Sequence, residues 1–170
     1  MSDAVLDAGP LIHLAELGAL DIFDDLEKLR VPNAVWDEVK NHRSDALKYF
    51  GKRLERVSVP TPSPELQTLA QALSLDLGEI QALALMDLYP RAWFLTDDAA
   101  ARLAAEERGY QVHGTIGMLI RSVRRGQKKP HEILNLLRAI PKRSTLFIRP
   151  SLLDSIIQRL EAEWSKTDSR

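Results

Sequence analysis

Residues 92–108 read AWFLTDDAAARLAAEER. The apolar run Ala92 to Leu95 fits a short buried strand, and Ala99 to Arg108 has the composition of a helix. Thr96, Asp97 and Asp98 stand at the junction. Two adjacent carboxylates there have a mechanical reading: Thr96 or Asp97 caps the helix, and acidic groups gain from its partial positive charge. They also have a chemical one, because carboxylates gathered at the end of a buried strand suit a divalent cation. A strand that feeds directly into a helix is the repeating unit of a parallel α/β sheet, so the same unit is to be sought elsewhere.

It recurs through most of the chain. Ala4-Val5-Leu6 predicts a first strand and Pro10 to Leu20 the helix after it, with Pro10 suited to a first helical turn. Leu29-Arg30-Val31 predicts a second strand, and Pro32 to Val39 opens another helix. The alternating Leu54 to Val59 predicts a third. Pro60-Thr61-Pro62-Ser63-Pro64 is a stiff connector, followed by helices over 65–75 and 77–88. Ala92 to Leu95 is then the fourth strand and Tyr110 to His113 the fifth. The expected fold is a three-layer α/β/α domain around a mostly parallel five-stranded sheet.

The last fifty residues read as helical, broken near Gln127-Lys128-Lys129-Pro130. Ser151 with Asp154 resembles a capping pair. In the helix that follows, Leu152, Leu153, Ile156, Ile157, Leu160 and Trp164 share one face, which must be buried against the chain's own core, a partner protein or a second copy.

With 170 residues, 45% hydrophobic and 28% charged, the chain fits one ordinary globular domain. It has no cysteine, which excludes disulfide scaffolds, thiol catalysis and cysteine-ligated zinc, and suits a reducing compartment. The opening MSDAVLDAGPLIHLAELGAL lacks the basic head and unbroken apolar core of a signal peptide, and no segment has the length of a membrane span. A cytoplasmic location without membrane attachment is expected. The net charge of -1 hides an asymmetry: residues 121–149 hold nine Lys/Arg against Glu132 alone, a balance of +8, while 14 basic and 23 acidic residues elsewhere give -9. Such a division fits a body that holds a cation next to a stretch that holds a polyanion, or simply a solvated helix and loop.

Acids fall at corresponding places in the predicted units: Asp7 after the first strand, Glu38 in the helix after the second, Glu79 in the opening turn of LGEIQALAL, and Asp97 and Asp98 after the fourth. Right-handed crossovers bring the carboxyl ends of parallel strands to one edge, where ligands bind. Asp76 with Glu79 also reads as a capping box, and Glu38 as a solvent-facing helix residue. Asp7 could bond nearby backbone amides in the turn before Pro10, but it is the least easily dismissed, because an acid directly after a central strand is costly unless paired or ligated. Hard oxygen donors without cysteine point to Mg²⁺ or Mn²⁺, and hence to phosphoryl chemistry. His13, on an apolar stripe, reads as a packed core histidine.

The segments VLDAGPLIHLA, VPNAVWDEV, LGEIQALAL, FLTDDAAAR and GTIGMLIRSVRRG, in this order, resemble the PIN domain, and among its members the toxins of virulence-associated toxin-antitoxin pairs. The resemblance covers about residues 4 to 125 well and extends to Leu136-Leu137-Arg138 and Phe147 to Leu153. It implies residues 1–125 as the PIN-like catalytic domain, with 126–170 a helical C-terminal extension packed on it. It further implies a Mg²⁺- or Mn²⁺-dependent endoribonuclease with Asp7, Glu38, Glu79 and Asp98 as catalytic acids. Asp97 would share the metal with them, and Thr96 would support the acids from behind. The implied partners are single-stranded or structured RNA, a cognate antitoxin and a second copy in a homodimer, with Trp164 and its apolar face as one surface for either protein. Arg102, Arg121, Arg124, Arg125, Lys128 and Lys129 are candidate RNA contacts. Two features depart from the pattern: Ala8-Gly9-Pro10 offers no hydroxyl after Asp7, and the third acid is Glu rather than Asp. The rival readings are a catalytically weak PIN-like module that binds RNA or protein, and a receiver-like signalling domain. A receiver places its acidic pair after the first strand and a lysine after the fifth, which this sequence does not.

Overall fold

Side chains alternate across a strand, and the two central strands show it directly. Ala4, Leu6 and Leu95 point into one hydrophobic core, while Val5 and Phe94 point into another on the opposite face. In this computed structural model, which describes residues 2–167, the sheet consists of β1 (Ser2–Leu6), β2 (Leu26–Pro32), β3 (Leu54–Val57), β4 (Trp93–Leu95) and β5 (Gln111–His113). The order is β3-β2-β1-β4-β5 and every pairing is parallel. Eight α-helices are found among the described residues: α1 (Ala8–Glu16), α2 (Asn33–Tyr49), α3 (Pro64–Ala72), α4 (Leu77–Leu88), α5 (Ala99–Glu107), α6 (Thr115–Arg124), α7 (Pro130–Arg143) and α8 (Pro150–Thr167). Helices α3, α4 and α5 cover one face of the sheet; α1, α6, α7 and α8 share the core on the other. This is the expected three-layer α/β/α fold.

Helix α4 is apolar on nearly every side because it lies between the sheet and its helical neighbours, with Ala82, Leu83, Ala84, Leu85 and Met86 all buried. Each fully buried Leu or Met contributes roughly 1.5–3 kcal/mol, so this packing fixes the register of the acidic first turn of α4.

Several boundaries differ from the sequence reading for local reasons. Helix α1 starts at Ala8, ahead of Pro10, because the Asp7 side chain accepts a hydrogen bond from Ala8 N and acts as its cap. It ends at Glu16 rather than Leu20: Gly18 at φ +66° turns the chain, and Leu20 lies in a separate 3₁₀ turn. Helix α8 starts at Pro150, a residue suited to a first helical position because it has no N–H to satisfy, so Ser151 and Asp154 lie inside the helix and do not cap it.

Leu153, Ile157, Leu160 and Trp164 are buried in the same cluster as Ile133, Leu137 and Ile140 of α7 and Leu11 and Leu14 of α1. Most of the apolar face of α8 is therefore covered by the chain's own core, while Leu152 stays 53% exposed. Trp164 is not available as a surface for a second copy or an antitoxin, which corrects that expectation. Among the described residues no helix is long and apolar enough to cross a membrane.

Candidate functional site

Between β1 and β4 the strand order reverses: the chain proceeds to one side through β2 and β3, then returns to place β4 on the other side of β1. A reversal of this kind splays the connections apart and opens a crevice at the carboxyl ends of the strands. Asp7 follows β1 there and its backbone N–H bonds to Leu95 O of β4 at 2.9 Å. A cleft of about 340 Å³ occupies the crevice. Its wall carries six carboxylates, Asp7, Glu38, Asp76, Glu79, Asp97 and Asp98, together with His13, and neither Lys nor Arg among the described lining residues. The acids named from sequence thus line one cleft.

Each acid is held differently. Asp7 is 7% exposed; one oxygen accepts from Ala8 N and the other from Thr96 Oγ1, both at 2.9 Å. Thr96 is fully buried and also accepts from Asp98 N at 3.1 Å, so a single hydroxyl ties the first acid to the last. Asp98 Oδ1 caps α5 through Ala101 N at 2.8 Å. Glu79 and Asp76 form the reciprocal capping box of α4, at 2.9 and 2.8 Å. The capping-box reading of that pair holds, and Glu79 is buried in the wall of the cleft while it caps. Glu38 is exposed on α2 and has no hydrogen bond among the described residues; Oε2 would lie 3.7 Å from a Cβ built on Gly78.

Asp97 is the most heavily bonded of the set. Its oxygens accept from Thr115 N at 2.7 Å, Thr115 Oγ1 at 2.5 Å and His13 Nδ1 at 2.6 Å. His13 is therefore a cleft residue rather than a purely packed one, which corrects the sequence reading. Gly9, one turn before His13 on α1, packs beside Asp97, where an added Cβ would stand at ordinary contact distance, 3.4 Å from Asp97 Oδ2. Gly114 does so more tightly: a Cβ would come within 2.9 Å of Asp97 Oδ1 and 3.3 Å of Thr96 O.

Electrostatics follows from burial without a basic partner. Desolvation, with lesser repulsion from Asp76 and Glu38, pushes the Asp7 carboxyl up to about 6 despite its two hydrogen bonds. Desolvation likewise raises Glu79 to about 7, helped by Asp76, Asp98 and Asp7. Glu38 is also raised, by desolvation first and Asp76 second. As the side chains stand, no three Asp, Glu or His among the described residues are close enough together to hold one ion. The acids share a cleft, but four of them spend an oxygen on a helix cap or capping box.

A family model described as the PIN domain matches residues 3–162. The chain belongs to the PIN domain family. A PilT N-terminus domain protein from the hyperthermophilic archaeon Sulfolobus solfataricus has a similar structure, with a TM-score of 0.51 and 15% identity over 71% of this chain and 93% of that one. At that identity the likeness concerns fold alone. No curated protein matches the chain significantly. PIN domains are generally nucleases that use divalent ions, and this one has the corresponding nuclease-type fold.

The basic residues of the PIN domain lie where sequence adjacency did not place them. Helix α6 begins at the acidic edge with Thr115 and runs ten residues, about 15 Å, so its last turn reaches the opposite edge of the sheet. There Arg121 pairs with Asp25 at 2.6 Å and stacks over Trp93, Arg125 joins Asp25 at 3.0 Å, and Lys128 pairs with Asp21 at 2.6 Å. These three do not flank the acidic cleft, contrary to expectation, and they share two carboxylates between them. Arg124 and Lys129 are exposed beside them. Arg102 alone of the predicted contacts adjoins Asp97 and Gly114. Arg121→Ala is accordingly expected to destabilise the fold by about 2 kcal/mol while leaving RNA affinity and its salt dependence unchanged. A denaturant titration together with binding isotherms at two salt concentrations checks both; a shallower salt slope would place Arg121 on RNA after all.

Proposed function

We propose that this PIN domain is a divalent-metal-dependent endoribonuclease that hydrolyses phosphodiester bonds in single-stranded RNA, and that it is the toxin of a toxin-antitoxin pair. The observation that carries the nuclease reading is the cleft at the switch point, with six carboxylates and no Lys or Arg in its described wall. Mutually repelling acids need a counter-charge, and the oxygen-only acidic donors fit Mg²⁺ or Mn²⁺. Asp7, Asp98, Glu79 and Glu38 would hold the ion, since each has an oxygen uncommitted to backbone. Asp97, whose oxygens already accept three hydrogen bonds, serves better as the post that fixes His13 and the start of α6. Such an ion, when bound, neutralises charge on the phosphate and makes its water more acidic. The protein's own part is to aim the acids through Thr96 and to exclude competing cations. The toxin assignment is supported by the order and spacing of the five sequence segments.

One observation favours a second reading, a catalytically weak module that binds RNA or protein: no three acids converge as the side chains stand. Labelled single-stranded RNAs incubated with Mn²⁺, Mg²⁺ or EDTA separate the two. Cleavage is expected with either metal, to vanish in EDTA, and to drop at least about 100-fold in Asp98→Asn, beyond what loss of an outer partner costs. RNA retained uncut by the unaltered protein would favour the binding module.

A further inference from the structure

Phe147 is 90% exposed, more than any other large hydrophobic residue among those described. It lies in the connector between α7 and α8, residues 144–149, and that connector is anchored. Glu16 Oε1, at the end of α1, accepts from Ser144 Oγ at 3.1 Å and from Thr145 N and Oγ1 at 2.9 Å each. Leu146 and Ile148 are partly buried against the core. Phe147, between them, faces outward from this anchored connector.

Two surfaces meet at this ring. With Leu146 it forms part of the wall of the acidic cleft. With Ile148, Leu152 and Ile156 it lines an apolar groove of about 410 Å³ that runs to Asp97, Gly114 and Arg102. Arg149 is exposed in the wall beside it and has no ion pair among the described residues, and the acid nearest Arg102 is Glu106, at 3.9 Å. An aromatic face, an apolar trough and two weakly paired guanidinium groups in continuity with a carboxylate cleft match the parts of a single-stranded nucleotide. We infer that Phe147 stacks on a base next to the scissile phosphate, with the adjoining groove receiving the neighbouring nucleotide and Arg102 and Arg149 its backbone. This rests on the nuclease reading and deepens it: the C-terminal helices supply a substrate platform. It also gives a reason for single-strand preference, since a base face is free to stack only outside a duplex.

The test measures affinity for a short fluorescent single-stranded RNA by anisotropy, with Mg²⁺ present and cutting silenced by Asp98→Asn. Adding Phe147→Ala is expected to weaken binding about tenfold or more, the range of base-aromatic stacking, and Phe147→Trp to restore it. An RNA carrying abasic positions should bind the Phe147 protein less well than the intact strand, yet bind the Phe147→Ala protein no differently. Melting temperature should not change, because the ring buries almost nothing. Equal affinities with and without the Phe147→Ala change would overturn the inference and leave the ring to a protein partner. Failure of the Phe147 protein to bind any single-stranded RNA would instead overturn the nuclease reading, and the platform with it.

Discussion

Asp7→Asn is expected to reduce RNA cleavage by at least about 100-fold and, in the same protein at pH 8 with EDTA, to raise the melting temperature by about 4–8 °C. The two effects have one cause. Asp7 is buried at the end of the central strand with its carboxyl near 6 instead of its ordinary 3.8, chiefly through desolvation, so the fold is strained by the charge that the chemistry needs. In asparagine the amide oxygen still accepts from Ala8 N, and the amide N–H donates to Thr96 Oγ1, whose own proton then loses the carboxylate as its acceptor. The gain from removing the charge exceeds that loss. A raised carboxyl binds protons more tightly in the folded chain, so stability is full below about 4 and declines as pH rises toward 6. The change corresponds to about 2 kcal/mol once discounted for relaxation, and for a chain of this size each kcal/mol shifts the melting temperature by about 2–4 °C. Glu79, raised to about 7 from 4.5, carries the same decline up to neutral pH. The unaltered protein should therefore melt lower at pH 8 than at pH 5, and the gain from Asp7→Asn should vanish near pH 4. A fall in melting temperature at pH 8 would mean that the Asp7 charge does not burden the fold, and cleavage retained in Asp7→Asn would remove Asp7 from the metal.

What the sequence disclosed divides along the range of the interactions involved. Strand-to-helix units were legible because their causes are local: Leu6 precedes Asp7, Leu95 precedes Thr96, and Pro10 falls in the first turn of α1. Parallel topology then brought Asp7, Glu38, Glu79 and Asp98 to one edge without any knowledge of contacts. The partners of Asp97 were not legible, since Thr115 and His13 lie 18 and 84 residues away. The only local signal was that Gly9 and His13 share a face of α1. Arg121, Arg125 and Lys128 were misplaced because adjacency to a cleft-side segment says nothing about where a ten-residue helix ends. Phe147 stood out only as part of the stretch resembling the family's C-terminal extension; its exposure goes with a connector anchored on Glu16, far away in the chain.

Thr96 concentrates these long-range dependencies, and Thr96→Val is expected to have the second large effect. Valine keeps the shape and loses the hydroxyl, which leaves Asp98 N without its acceptor and Asp7 Oδ2 without its donor, in a position with no solvent access. Unmet buried groups cost about 1–3 kcal/mol each, so a loss of at least about 2 kcal/mol and a fall of at least about 4 °C in melting temperature follow. The functional consequence is separable from the structural one. The hydroxyl is the strongest influence holding the Asp7 carboxyl down against desolvation, so in Thr96→Val that carboxyl moves above 6. Mn²⁺ must then compete with a proton over a wider range, and its affinity at pH 6.5 should fall about 10- to 100-fold, as for other partners that orient a ligand. Raising the pH to 8.5 should recover most of that loss, whereas a merely unfolded fraction would not recover. Thr96→Ser, which retains the oxygen, should bind Mn²⁺ like the unaltered protein even where it melts lower for want of a methyl group. Calorimetric titrations of the three proteins at both pH values decide the matter: if Thr96→Val binds Mn²⁺ with unaltered affinity and pH profile, the hydroxyl only braces the β4–α5 turn and has no part in presenting Asp7.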